Sequence, residues 1–264
     1  MRVHWRSFLA AGVLPGLLLT GCSSPPPVRT ERAVEPPKPE MVITMASLNL
    51  GAHQKRLERS DVQKFLRVLK REQIDVLAVQ GIARYPGVET RVDFVDELSS
   101  RGDMRSAFGE MMNNSGRQTG NAVFSSFPIR SHANTPFDGI RSVTYEASLQ
   151  AVVDGGVRDL LVVSTQFPPK APAADQARCI QSVTSLRPQE QKIPFIVAGN
   201  LPPSPDTTLL LADIQKAFPD AKNQASRIWY STDGLVQPQA AHVVETDLGT
   251  LTVARFGVFR PESR

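Results

Sequence analysis

The run Phe195-Ile196-Val197-Ala198 leaves this chain the fewest structural choices. Four apolar residues without a polar break, stopped by Gly199 and then by Pro202-Pro203, describe a strand covered on both faces. Such a strand delivers the residue at its carboxyl end to a rim. That residue is Asn200, a neutral amide. A hydrolase built on this strand would need a carboxylate at that place, because Mg²⁺ requires anionic oxygen ligands. The other strand ends therefore decide what the rim can do.

Period-two and short apolar runs predict strands over Met41–Leu50, Asp75–Gln80 (stopped at Gly81), Arg105–Met112 and Asn121–Ser125. Val143–Val153 and Val157–Phe167 read as a hairpin turned at Asp154-Gly155-Gly156. Arg227–Tyr230, Leu235–Val236, His242–Glu245 and Leu251–Val258 read as closing strands. Helices are expected from Ser60, with Gln63 completing a capping box and Val62, Phe65, Leu66 and Leu69 on one face. Further helices are expected over Arg91–Ser100, Ala173–Leu186 and Thr207–Phe218. Strands outnumber helices and come in blocks. The expected fold class is α+β, a four-layer α/β/β/α sandwich of two mixed β-sheets with helices outside.

Two segments precede that domain. Residues 1–22 carry Arg2 and Arg6, an apolar run Phe8–Leu19, and then Leu19-Thr20-Gly21-Cys22. A basic head and a short apolar stretch make a secretory signal. Its end resembles a bacterial lipobox, which implies acylation of Cys22, palmitate included, and anchoring in a membrane. Ser23 in the next position implies the outer membrane, facing the periplasm. Residues 23–40, with Pro25, Pro26, Pro27, Pro36, Pro37 and Pro39, read as a semi-rigid tether, leaving 41–264 as the folded domain.

Charge narrows the partners. Of 30 basic residues five precede residue 41, and of 26 acidic residues three do, leaving 25 against 23 in the domain. There is no basic block, so a nucleic-acid partner is not expected. With Cys22 acylated, Cys179 has no partner for an intrachain disulfide and reads as a small buried hydrophobe.

Several short stretches, in order, resemble the endonuclease/exonuclease/phosphatase superfamily of metal-dependent phosphoesterases. Gly120-Asn121-Ala122-Val123-Phe124-Ser125-Ser126-Phe127-Pro128-Ile129 is the most specific. Ala46–Asn49 is similar to a first strand ending in Trp-Asn, and Asp75–Gly81 to one ending in Gln-Glu. Leu161–Phe167 resembles a strand ending Thr-His-Leu, and Ala198–Pro202 stands in the place of Gly-Asp-Phe-Asn. Thr232–Val236 resembles Ile-Asp-Tyr-Ile, and Thr246-Asp247-Leu248 stands where Ser-Asp-His would be.

The resemblance implies a site at Asn49, Gly81, Gln166, Asn200, Pro202, Asp233, Asp247 and Leu248, and at most of these the implied chemistry is missing. Gly81 replaces the principal Mg²⁺ ligand, and Asn200 and Pro202 replace the Asp and Asn that orient water and phosphate. Gln166 and Leu248 replace histidines. A neutral amide takes no proton from water, and losing a proton-transfer group commonly costs about 10²–10⁴ in rate. The expectation is a phosphoesterase scaffold without catalysis, metal or cofactor, binding an envelope ligand or protein. The alternative is a divergent, active phosphodiesterase or phosphatase that recruits Mg²⁺ through substitute groups such as Glu110, Glu146, Glu245 or His53. No Ser-His-Asp, Cys-His, zinc-spacing or phosphate-loop pattern occurs.

Overall fold

The computed structural model describes residues 37–51, 57–85, 92–137, 147–167, 171–186, 193–200, 214–217 and 226–260. Two six-stranded sheets lie face to face. The first is built from β1 (Met41–Asn49), β2 (Val76–Arg84), β3 (Arg105–Asn114), β4 (Arg117–Ser125), β11 (Val236–Thr246) and β12 (Gly249–Val258), in the order β11-β12-β1-β2-β4-β3. The second is built from β5 (Ile129–Pro136), β6 (Ala147–Asp154), β7 (Asp159–Thr165), β8 (Phe195–Gly199), β9 (Ile214–Lys216) and β10 (Arg227–Ser231), in the order β5-β6-β7-β8-β10-β9. Each is mixed, with β1/β2 and β7/β8 parallel and the other pairs antiparallel.

Strand alternation sorts the apolar residues into layers. Ile43, Met45, Val76, Ala78 and Val123 face Leu149, Ala151, Val162, Ile196 and Ala198 between the sheets. The opposite faces of β1, β2 and β4 meet α1 (Arg59–Arg71) and α2 (Phe94–Gly102) through Leu48, Leu77, Val79 and Phe124. Leu161, Val163, Phe195 and Val197 meet α3 (Ala173–Ser185) through Cys179, Ile180 and Val183. The four-layer α/β/β/α arrangement is thus present, and Phe195–Gly199 is covered on both faces.

Helix starts differ from the sequence expectation for a local reason. The α1 cap is Glu58 rather than Ser60: the Asp61 carboxylate accepts the Glu58 N–H at 2.9 Å. Packing matters more to this helix than its cap. Burying Val62, Phe65 and Leu69 is worth about 1.5–3 kcal/mol each, against about 1 kcal/mol for a cap. Helix α2 starts at Phe94 rather than Arg91 because the Asp93 carboxylate accepts from Val95 N–H and Asp96 N–H. The expected helix Thr207–Phe218 is contradicted where it is described. Residues Ile214–Lys216 are an edge strand on β10, an extended pairing that overrides local helical pattern, and 207–213 and 218 lie outside the described residues. Strand β5 was not expected, because its polar sequence hides its pairing with β6.

Asp75, at the turn into β2, accepts the Thr44 N–H at 2.8 Å while half-buried. Burial pushes its carboxyl up, against the Thr44 bond and the Arg255 charge, which pull it down. A raised native value means this group favours folding more as pH falls toward the ordinary carboxylate range. Asp75→Asn keeps the acceptor and removes the buried charge. It is expected to raise stability at neutral pH in denaturant unfolding, with the gain shrinking in acid.

Candidate functional site

In the first sheet Asn49 lies opposite Gln80, and in the second Thr165 lies opposite Gly199. The carboxyl ends of these parallel pairs meet at one end of the sandwich. There Asn49, Gly81, Gln166 and Asn200 come together.

Just below this rim the two sheets are joined by neutral hydrogen bonds. Gln80 Nε2 donates to Ser164 Oγ at 3.1 Å, and Ser226 Oγ donates to Gln80 Oε1 at 2.9 Å. Ser164 Oγ donates to the Val79 carbonyl at 3.2 Å, and Thr252 Oγ1 to the Ser226 carbonyl at 2.7 Å. Ser47 and Ser226 share a short hydroxyl–hydroxyl bond. Ser47, Gln80, Ser164, Ser226 and Thr252 are all buried and none is charged. Sequence reading missed this layer. Its signal was present in single polar residues, Ser47 and Ser164, inside otherwise apolar strand runs.

Gly81 is held by its backbone. Strand β2 does not stop there but bulges between the Val79–Ala122 and Ile82–Gly120 pairs and continues to Arg84. Gly81 has φ +69°, and a Cβ on it would stand 3.0 Å from Gln166 Oε1 and 3.0 Å from Gly51 N. Both the left-handed backbone and the crowding select glycine. The space a carboxylate would enter is taken by the Gln166 amide.

Asn200 is tied down as well. Its Oδ1 accepts the Phe167 N–H at 2.6 Å, and its Nδ2 donates to the Phe167 carbonyl at 3.0 Å. This two-point clasp joins the ends of β7 and β8. It needs a donor and an acceptor on one side chain, which an ionised Asp does not have.

The remaining expected site residues are not brought to this point. Strand β10 starts beside Gly199 and runs away from the rim, so Asp233, beyond its far end, lies at the opposite end of the sandwich. There it accepts from Ser231 Oγ and Leu235 N–H, each at 3.0 Å, and shapes the turn. Ser226, not Asp233, is the residue this strand brings to the rim. Asp247 and Leu248 form the β11–β12 turn at the correct end but on the helix side. Asp247 pairs with Lys64 of α1 at 2.9 Å and raises the lysine's affinity for its proton, and Leu248 packs on the α1/α2 core. Glu110 is exposed on β3, and the Glu245 carboxylate accepts from Thr250 Oγ1. His242 pairs with Glu72 at 3.0 Å. Cys22, His53, Glu146 and Pro202 lie outside the described residues.

Among the described residues no group of three or more His, Cys, Asp or Glu side chains is placed to hold a metal ion. Among the described residues the side chains gathered at the rim are amides and hydroxyls. They do not fit Mg²⁺, which takes carboxylates and keeps water around itself.

Fold and rim together define a two-sheet sandwich whose parallel strand ends, among the described residues, bring together uncharged side chains. Solved structures with this two-sheet sandwich include endonuclease/exonuclease/phosphatase proteins, and the chain has their fold. The Beutenbergia cavernae protein of that family superposes with TM-score 0.65 at 16% identity, covering 83% of this chain and 72% of its own. The catalytic domain of human nocturnin, with bound sulfate, gives 0.64 at 16% identity over 84% and 94%. TDP2 of D. rerio in complex with single-strand DNA product gives 0.62 at 12% over 81% and 98%. No protein-family model and no curated protein matches the sequence.

Proposed function

We propose that this domain is a phosphoesterase-type scaffold that has lost metal-dependent phosphoester hydrolysis and serves a binding or structural role in the cell envelope. The Asn200 clasp carries this reading: the amide that replaces a carboxylate has both ends committed to the Phe167 backbone. Both atoms of that side chain that could meet a cation or a water are bonded to the backbone instead, and neither carries charge. Gly81 supports the same conclusion, since its backbone and surroundings leave no room for a ligand side chain. Among the described residues, no group of three or more His, Cys, Asp or Glu side chains is placed to substitute.

The test is hydrolysis of bis(p-nitrophenyl) phosphate by the purified protein with Mg²⁺ or Mn²⁺. No turnover above buffer is expected. Turnover that EDTA abolishes and that Asn49→Ala removes would overturn the reading.

Envelope placement rests on the lipobox-like Leu19–Cys22 and the proline-rich tether. Acyl anchoring at Cys22 predicts that Cys22→Ser abolishes incorporation of labelled palmitate and moves the protein from the membrane to the soluble fraction. Unchanged membrane association of that variant would contradict the anchor.

A further inference from the structure

A sheet edge presents unpaired N–H and C=O groups that invite another strand, and native proteins blunt such edges. The two sheets end in four edge strands, β11, β3, β5 and β9. Three of them are blunted. β9 has three residues and ends in Lys216. β5 carries Arg130, Pro136 and a bulge between Ile129 and Ser131. β3 carries Arg105, Glu110 and a bulge between Glu110 and Met112, and its Glu110 carbonyl accepts from Asn134 Nδ2 at 2.7 Å. β11 is different. Beyond its own bulge between Pro238 and Ala240 it pairs without interruption to Thr246, and this stretch holds no proline, lysine or arginine.

The turn fixes which backbone groups stay free. Asp247 and Leu248 join Thr246 to Gly249, and across so short a connection these two residues pair by exchanging both backbone hydrogen bonds. Alternation then bonds Val244 and His242 to β12 and turns the N–H and C=O of Glu245, Val243 and Ala241 away from it. Among the described residues no backbone hydrogen bond reaches these groups. Their side chains share the face toward the second sheet. Ala241 packs against the inter-sheet core, Glu245 accepts from Thr250 Oγ1, and Val243 between them is 36% exposed.

Such a stretch is complementary to itself. Antiparallel pairing with a second copy about a two-fold axis at Val243 sets Val243 opposite its own counterpart and Ala241 opposite Glu245, so every free residue meets a free one. Moving the axis one residue either way leaves one of the three facing the bulge or the turn. The centred register also keeps the two Glu245 carboxylates apart, each beside the small Ala241 of the other copy, and covers the exposed Val243 with valine. We propose that β11 is a homodimer interface, through which a second copy of this chain extends the first sheet by antiparallel pairing along Ala241–Glu245. The antiparallel sense sets the two rims at opposite ends of the joined sheet. This pairing goes beyond the loss of hydrolysis and does not depend on it.

The experiment is sedimentation and cysteine crosslinking of the purified full chain in a zwitterionic detergent. The parent is expected to sediment as two chains. Val243→Glu, which sets like charges against each other on the axis, should weaken that dimer about tenfold. Val243→Pro removes an N–H that faces the edge and not β12, so it spares the ladder and should leave single chains. Circular dichroism confirms that each variant is folded. Val243→Cys places two thiols where opposed Cα atoms of a bonded pair stand about 5.5 Å apart, within disulfide reach. Under mild oxidation it should crosslink about tenfold faster than His242→Cys, whose thiols lie off the axis on the other face. The parent gives the background from Cys22 and the buried Cys179. A parent that sediments as one chain at every concentration overturns the proposal. So does a dimer that survives both Val243→Glu and Val243→Pro, or His242→Cys crosslinking as fast as Val243→Cys. A single-chain parent whose Val243→Cys variant captures a different protein gives the edge to another occupant and likewise overturns it.

Discussion

Gly81→Glu, which would return a carboxylate to the rim, is expected to destabilise the protein by about 2–4 kcal/mol and to bind no metal. The left-handed backbone costs a non-glycine residue about 1–2 kcal/mol. A Cβ 3.0 Å from both the Gln166 amide oxygen and the Gly51 backbone nitrogen forces one of them to move. Overpacking of this kind typically costs a further 1–3 kcal/mol. The rest of the carboxylate would enter a site already lined by Asn49 and Gln166, and among the described residues no group of three or more His, Cys, Asp or Glu side chains is placed to hold a cation. Urea unfolding gives the stability loss, and a Mg²⁺ titration of the folded fraction gives the metal result. Gly81→Ala separates the contributions, because it keeps the backbone and Cβ penalties and omits the charge. It should account for most of the loss. A Gly81→Glu variant as stable as the parent would show that this bulge is not held as described.

The second large effect is at Asn200. Asn200→Asp keeps the acceptor for the Phe167 N–H but turns an oxygen toward the Phe167 carbonyl, where the amide donates at 3.0 Å. Two oxygens then face each other, and the expected loss is about 2 kcal/mol at neutral pH. The sign of the pH dependence comes from the same contact. The repulsion disfavours the ionised form, so the introduced carboxyl has a higher pKa folded than unfolded. The deficit is therefore full above that folded value and shrinks as pH falls through it, because a protonated acid again donates to the carbonyl. Chemical unfolding across that range gives the profile. A constant deficit, or one growing in acid, would contradict the clasp.

These two positions show why the site was partly legible in the sequence. The apolar run into Asn200, the Asp75–Gln80 run and the polar stop after Leu161–Thr165 are visible as strand ends, and the register brings the ends of β1, β2, β7 and β8 to one rim, whereas Asp247, expected in the same cleft, pairs with Lys64. How each is used was hidden. Gly81 reads as a missing side chain, and only its φ and its distance to Gln166 show that the backbone demands it. Asn200 reads as a lost charge, and only its bonds to Phe167 show a structural role.

Asp233 illustrates a register problem. Its local pattern suggested a strand end at the rim, but β10 begins at Arg227 opposite Gly199, which sends Asp233 to the far end. A short strand read a few residues late exchanges one end of a sheet for the other. Asp247 and Leu248 illustrate facing. They occupy the right end of β11 and β12, yet a two-residue turn directs them to α1, where Lys64 and the outer core receive them. The layer order was legible because burial imposes it. The polar edge strands β5 and β9 were not, because backbone pairing leaves little trace in side chains.

The most direct test of the central claim is calorimetric titration of Mn²⁺ into the purified protein, and then the same titration in Asn49→Ala. A rim of amides and hydroxyls predicts no saturable heat in either. One saturable Mn²⁺ site in the parent that disappears in Asn49→Ala would mean that the rim still holds a metal, and would contradict the account.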